Sequence, residues 1–78
     1  MPPYKDIADD PEDDRIQKIG EMVMKDKLVV GFVTDAEPGK ADRYISKLKE
    51  RFPGIRVIAR GDGPVPEVVW VKVGPPVN

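Results

Sequence analysis

The sequence predicts an α+β domain, a two-layer sandwich of two helices on a three-stranded sheet in the order helix, strand, helix, strand, strand. Two segments place apolar residues at helical spacing, and three short runs are rich in valine and isoleucine. Gly and Pro residues separate these segments, which indicates turns between them. The 78 residues leave room for one core, so we expect a flexible lead-in at 1–8, a single domain at 9–74 and a tail at 75–78.

The first helix is predicted to follow Asp10. Asp10 is a good N-cap, Pro11 suits the first turn, and the acidic residues that follow favour the positive end of the helix dipole. Three apolar residues then recur at helical spacing: Ile16, Ile19 and Val23. Gly20 lies on the same side, so we expect a neighbouring element to approach the helix closely there.

The first strand and the second helix are predicted at 28–34 and 39–52. The strand, LVVGFVT, is almost wholly apolar, which predicts that both of its faces are covered. Pro53 and Gly54 end the helix. The core face of the helix is predicted to contain Ala41, Ile45, Leu48 and Phe52, with Tyr44 at its margin.

The last two strands are predicted at 55–60 and 67–73, joined as a hairpin by the turn residues GDGPVP. The first two strands flank a helix, so we expect them to run parallel, with a right-handed crossover, in a mixed sheet. We favour the strand order first, third, second over the sequential order, because Arg56 and Arg60 suit an edge strand.

Composition excludes several kinds of chemistry. The chain has no His and no Cys, which removes imidazole bases, thiol nucleophiles, disulfides and the usual zinc ligands. We therefore expect no cofactor and no enzymatic activity. No stretch approaches the ~18 apolar residues of a membrane span, and the acidic N-terminus lacks the layout of a secretory signal. A cytoplasmic protein without membrane contact is predicted.

Charge is distributed unevenly along the chain. Residues 1–26 carry eight acidic and four basic side chains, whereas residues 27–78 carry nine basic and six acidic ones. The formal net charge of −1 hides this asymmetry. The acidic N-terminal segment is therefore able to neutralise basic side chains within the same chain.

The Gly-Lys pair at 39–40 follows a strand and precedes a helix, as in a phosphate-binding loop. That loop, G-x-x-x-x-G-K-S/T, requires glycine where Thr34 stands and a hydroxyl where Ala41 stands. Acidic residues also occupy the place of the polyphosphate, so the sequence excludes this motif. We expect a turn ordered by Asp35 with Lys40 solvated; a single anion held by Lys40 at the helix start is the lesser alternative.

Three carboxylates form an alternative site of another kind. Asp35 and Glu37 follow the first strand and Asp62 follows the second, at the edge of parallel strands where ligands tend to gather. Together they are able to hold Mg²⁺ or to divide acid and base roles. Acidic residues are also ordinary in turns, so we rank this metal or enzyme site below the binding surfaces that follow.

Two surfaces carry the prediction of binding. Four cations of the second helix, termed the basic stripe, fall within an arc of about 80°: Lys40, Arg43, Lys47 and Arg51. The sheet side packed on the helices is predicted to contain Ile55, Val57, Ala59, Val69, Val71 and Val73. The opposite side is then predicted to show Arg56, Ile58, Arg60, Val68, Trp70 and Lys72. The alternatives are a solvated helix face, and a sheet face covered by the first helix or by a second copy.

The leading functional hypothesis is a small non-catalytic interaction module that binds a protein partner or itself through the Trp70 face. RNA or DNA binding by the same residues is the alternative, since aromatic and basic side chains stack bases and neutralise phosphates. The order of elements, with a strand at Tyr4–Ile7 added, is similar to that of the C-terminal domain of bacterial translation initiation factor three and of the Alba chromatin proteins. This resemblance in topology implies a two-layer fold and nucleic acid as a partner.

Overall fold

The computed structural model describes residues 11–62 and 68–77. Its elements are helix α1 (Pro11–Met24), strand β1 (Val30–Asp35), helix α2 (Lys40–Arg51), strand β2 (Arg56–Asp62) and strand β3 (Val68–Gly74). The predicted α+β class and the order helix, strand, helix, strand, strand are confirmed. The lead-in at 1–8, the cap Asp10, the added strand at 4–7 and most of the loop GDGPVP lie outside the described residues.

Strand β3 lies in the middle of the sheet, and the strand order is β1-β3-β2. It pairs antiparallel with both neighbours: Phe32 of β1 is opposite Val71, and Val57 of β2 is opposite Val73. Strands β1 and β2 run in the same direction, but β3 separates them, so they form no parallel ladder with each other. The predicted mixed sheet is therefore wrong, because both neighbouring pairs are antiparallel.

Both helices pack on one face of the sheet and form a single core with it. The core residues are Ile16, Ile19, Val23, Phe32, Ala41, Tyr44, Leu48, Ile55, Val71 and Val73. The predicted coverage of β1 on both faces is wrong, since every second residue of this strand is exposed and Val33 is 49% accessible. The two described helices share one side of the sheet and leave the other face of β1 uncovered by either.

Gly20 is the point at which α1 meets the end of α2. A Cβ at this position would overlap the ring of Phe52, the residue that follows α2. The backbone N–H of Phe52 donates to the carbonyl oxygen of Leu48 at 2.8 Å, which holds the ring where the helix ends. The expected close approach at Gly20 is confirmed, and the neighbour is Phe52.

Tyr44, predicted at the margin of the helix face, is instead part of the core. Its ring stacks on that of Phe32, with the centroids 5.6 Å apart. The guanidinium of Arg15 lies 5.7 Å from both ring centroids, a cation–π arrangement. An arginine of α1 thereby joins an aromatic pair contributed by β1 and α2.

A bulge in β2 changes the face that its later residues occupy. Val57 is opposite Val73, but the next opposed pair is Ala59 and Lys72, so Ile58 is an additional residue. Directly opposed residues of antiparallel strands lie on the same face. Ile58 and Ala59 therefore both stand on the face of Lys72, away from the helices.

Arg60 turns towards the helices as a result of this bulge. It is opposite the buried Val71, and its Nη1 donates to the carboxylate of Asp42 on α2 at 2.7 Å. The predictions that Arg60 shares a face with Trp70 and that Ala59 packs on the core are both wrong. Strict alternation of faces holds only for a strand without an extra residue.

Candidate interaction surface

The sheet face turned away from the helices, termed the open face, is the candidate functional site. Its residues form opposed rows across β1, β3 and β2: Val33, Trp70 and Gly61 in one, Gly31, Lys72 and Ala59 in the next. Gly74 and Arg56 follow at one end, and Asp35 and Val68 at the other. Val29 and Ile58 complete the face, because both would touch a Cβ placed at Gly74.

The indole of Trp70 lies flat across the neighbouring strand. Three atoms of its ring would come within 2.9–3.1 Å of a Cβ placed at Gly61, so only glycine leaves room beneath it. The indole Nε1 donates to the carbonyl oxygen of Asp62 at 3.1 Å. One face of the ring is therefore held against the sheet while the other is presented outward, and the side chain stays 36% exposed.

Aliphatic side chains extend this surface on both sides of the indole. Val33 stands beside Trp70 in the same row, and Ile58, 40% exposed, lies over Gly74 with Val29 next to it. Isolated exposed aliphatic residues are ordinary on soluble proteins, whereas several exposed apolar side chains on one flat face are typical of a contact surface. The glycines of the face keep it flat between these side chains.

Two cations accompany the apolar residues. Lys72 stands in the row next to Trp70, and the Nε of Arg56 donates to the carbonyl oxygen of Pro75 at 2.9 Å. None of the ion pairs formed within residues 11–62 and 68–77 involves either cation. Within these residues no carboxylate neutralises the charge of Arg56 or of Lys72.

The basic stripe of α2 is, by contrast, paired within the chain. Arg43 binds the carboxylate of Glu12 through two hydrogen bonds of 2.8 and 3.0 Å. The other pairs are Lys47 with Glu12 at 3.3 Å and with Asp13 at 3.2 Å, Arg51 with Asp13 at 2.7 Å, and Lys40 with Asp35 at 3.0 Å. The first turn of α1 and Asp35 at the end of β1 therefore supply the counter-charges that a nucleic-acid phosphate would have to replace.

Glu12 is held by two cations of the basic stripe, Arg43 and Lys47. The hydrogen bond from Arg43 is the main cause that lowers the pKa of Glu12 from 4.5 to about 2. Burial opposes this shift, and the hydrogen bond from Lys47 adds to it. Because this pKa is lower in the folded than in the unfolded chain, the pairing stabilises the fold fully above about pH 4.5. That contribution is lost as the pH falls through 2.

Replacing Glu12 with Gln removes the charge that pairs with Arg43 and Lys47 and is expected to lower the free energy of unfolding at neutral pH by about 1–2 kcal/mol. The loss is limited to this size because both cations remain partly exposed to solvent. The variant should also lose less stability than the wild type between pH 4.5 and 2 in urea titrations. Glu50→Gln, on an exposed position of α2, is the matched control and should change neither quantity. If Glu12→Gln and the wild type lost the same stability between pH 4.5 and 2, that result would contradict this role of Glu12.

The Gly-Lys stretch forms the predicted turn. The carboxylate of Asp35 accepts a hydrogen bond from the backbone N–H of Glu37 and another from Nζ of Lys40, both at 3.0 Å. The bond from Lys40 is the main cause that lowers the pKa of Asp35, and it raises the pKa of Lys40. Gly39 takes a φ of 80°, which favours glycine. Lys40 is bound to Asp35 and not simply solvated, which corrects that expectation.

The three carboxylates predicted as an alternative metal site do not converge. Asp35 and Asp62 end the two outer strands, so two strand spacings of ~4.8 Å separate them across β3. A metal ion requires ligand oxygens at ~2–2.6 Å. Within residues 11–62 and 68–77 no three acidic side chains are close enough to hold one, so Asp35, Glu37 and Asp62 form no such group.

The structure divides the predicted binding residues into three groups. Arg56, Trp70 and Lys72 share the open face, the basic stripe is paired with α1 and the turn before α2, and Arg60 points to α2. Val29 and Val33 are apolar residues of this face that sequence reasoning missed, because their strand was expected to be covered on both sides. The predicted two-layer arrangement already implied their exposure. Two helices that lie on the same side of a sheet leave its other face uncovered by either of them.

Comparison of the chain with models of protein families, with curated proteins and with solved structures finds no match. Neither of the helices in residues 11–62 and 68–77 is long and apolar enough to cross a membrane. The geometry and chemistry of the open face are therefore the observations that bear on function.

Proposed function

We propose that this protein is a non-catalytic interaction module that self-associates through its open face. The observation that carries the proposal is the exposure of Val33, Ile58 and Trp70 together on the face opposite both helices. Burying such apolar surface is favourable by about 25 cal/mol per Å² removed from water. A second copy supplies an equally flat and equally apolar surface, and two-fold pairing of one patch with itself is the commonest oligomeric arrangement.

The size of the open face sets the expected strength of this association. Three strands at ~4.8 Å spacing and seven residues at ~3.4 Å rise give a face of roughly 14 by 24 Å. Two stacked copies would bury on the order of 700 Å² in total, which is below the range of specific, stable complexes. We therefore expect a reversible dimer, with a dissociation constant in the micromolar range or weaker.

Sedimentation of a dilution series tests this proposal. The wild type should pass from the mass of one chain to twice that mass as its concentration rises. Trp70→Ala should raise the dissociation constant by at least about 30-fold, because each copy loses an aromatic anchor of about 1 kcal/mol or more. Met22→Ala on α1 removes a side chain of equal 36% exposure away from the sheet and is the matched control. A wild type that remains monomeric at millimolar concentration would overturn the proposal.

Binding of single-stranded nucleic acid is the second candidate function. The observation that favours it is the placement of Arg56 and Lys72, neither of them ion-paired within residues 11–62 and 68–77, on the same face as the outward indole of Trp70. Stacking on an aromatic ring contributes about 1–3 kcal/mol per base, and phosphate contacts make affinity fall with salt. Salt-sensitive oligonucleotide binding that weakens on Arg56→Ala but not on Arg43→Ala would favour this candidate over self-association.

A further inference from the structure

We propose that the two copies stack about a two-fold axis that crosses the strands between the rows of Trp70 and Lys72. Lys72 of each copy then lies against the indole of Trp70 of the other. The inference rests on the proposed self-association and goes beyond it, because it assigns the symmetry axis and the residue pair that selects it.

Only two directions of the axis superpose two sheets face to face with their strands aligned. An axis parallel to the strands places each residue of β3 against the same residue of the second copy. Lys72, in the middle of the face, would then meet Lys72, and like charges directly opposite each other destabilise a contact. No carboxylate stands in the rows of Trp70 or Lys72 to relieve this repulsion.

An axis that crosses the strands reverses the order of the rows in the second copy. The row of Trp70 then meets the row of Lys72, so the exposed side of each indole receives a lysine ammonium and the small side chain of Ala59. An ammonium over an indole is an attractive cation–π contact. The charge that opposes the first arrangement therefore stabilises this one.

Size complementarity favours the same arrangement. Val33 of one copy comes to lie against Gly31 of the other, a projecting side chain against an exposed glycine. At each end of the face, Val68 of one copy lies opposite Gly74 of the other. The side chain of Ile58 lies over that Gly74, so Val68 and Ile58 are brought together. All four rows overlap only when the axis lies midway between the two central rows, which buries the most surface.

Sheet twist does not disturb the central contacts. Stacked sheets are rotated by about 30° relative to each other, and this rotation displaces residues in proportion to their distance from its centre. Trp70 and Lys72 both lie on the central strand, each within one residue rise, about 3.4 Å, of the axis. These two residues are therefore the best placed to select the orientation.

Mixing two variants tests the arrangement. Trp70→Leu puts an aliphatic side chain in place of the indole, and because it removes the chain's single tryptophan the variant gives no tryptophan fluorescence. Lys72→Gln removes the cation and keeps the indole as a reporter. Each homodimer loses both Lys72–Trp70 contacts and should dissociate about 5- to 30-fold more readily than wild type, at about 0.5–1 kcal/mol per contact.

The mixed dimer, by contrast, retains one complete contact, because Trp70 of the second variant meets Lys72 of the first. Fluorescence anisotropy of Lys72→Gln, titrated with dark Trp70→Leu, should give a dissociation constant at least about 2-fold below that of either variant alone. Lys72→Arg keeps the cation and should dimerise as the wild type does. Tighter dimerisation of Lys72→Gln than of wild type would overturn the proposal, because that result indicates lysine facing lysine.

These outcomes are separate from a failure of the proposed function. If the wild type dimerises and Trp70→Ala does not, but the mixture shows no recovery, the open face is the contact and the assigned axis is wrong. If the wild type does not dimerise at all, self-association itself is wrong. Circular dichroism of each variant establishes that it is folded before either result is read.

Discussion

Val33→Glu is expected to leave the protein folded and to shift its dimerisation to concentrations well above those at which the wild type dimerises. Val33 is 49% exposed beside Trp70, near the centre of the open face, so a glutamate there reaches solvent in the monomer. In the dimer two carboxylates are buried, each with Lys72 of the other copy one strand away in the facing row, and burying such an incompletely compensated group costs about 1–3 kcal/mol. With two such groups per dimer the dissociation constant should rise at least about 30-fold.

Val77→Glu makes the same substitution at a residue that is 72% exposed and stands outside the sheet. It adds the same charge to the chain and should leave self-association unchanged. Sedimentation equilibrium of both variants measures the effect, and thermal unfolding shows whether each is folded. Equal weakening by the two substitutions would assign the effect to net charge and not to the open face.

Leu48→Ala is expected to remove most of the stability of the fold. Leu48 is 1% exposed at the centre of the core, where α2 packs against α1 and the sheet. Truncating a buried leucine costs about 2–5 kcal/mol, and small domains have little more than that in total. A large fraction of the variant should be unfolded at 37 °C, and urea denaturation at lower temperature measures the difference.

Leu28→Ala provides the matched comparison, because it removes the same atoms from an exposed position. Its free energy of unfolding should change by less than about 0.5 kcal/mol. Losses of similar size in the two variants would contradict the assignment of the core to the region between the helices and the sheet.

The sequence was sufficient for the features that depend on a single periodicity. Ile16, Ile19 and Val23 recur at helical spacing and are all buried, and Gly20 beside them meets Phe52 as expected. Trp70 alternates with Val71 along β3, and the structure places the valine in the core and the indole outside it. These features are local, so propensity and pattern determine them without knowledge of the neighbours.

The sequence was insufficient where two elements decide the outcome together. Nothing in IRVIAR marks Ile58 as the extra residue of a bulge, yet this residue sends Arg60 to Asp42 and away from Trp70. The pairing of the basic stripe with Glu12 depends on how α1 lies beside α2, which the helical wheel of one helix does not contain. Long-range contacts of this kind require the packed structure.

Acrylamide quenching of Trp70 fluorescence across a dilution series is the most direct test of the account. The chain has one tryptophan, so the signal reports this side chain alone. In dilute solution the indole should be quenched readily, and it should become protected as the concentration rises and the open faces meet. An indole that is equally protected at every dilution would show that the monomer itself covers this face, and the outward surface on which self-association depends would not exist.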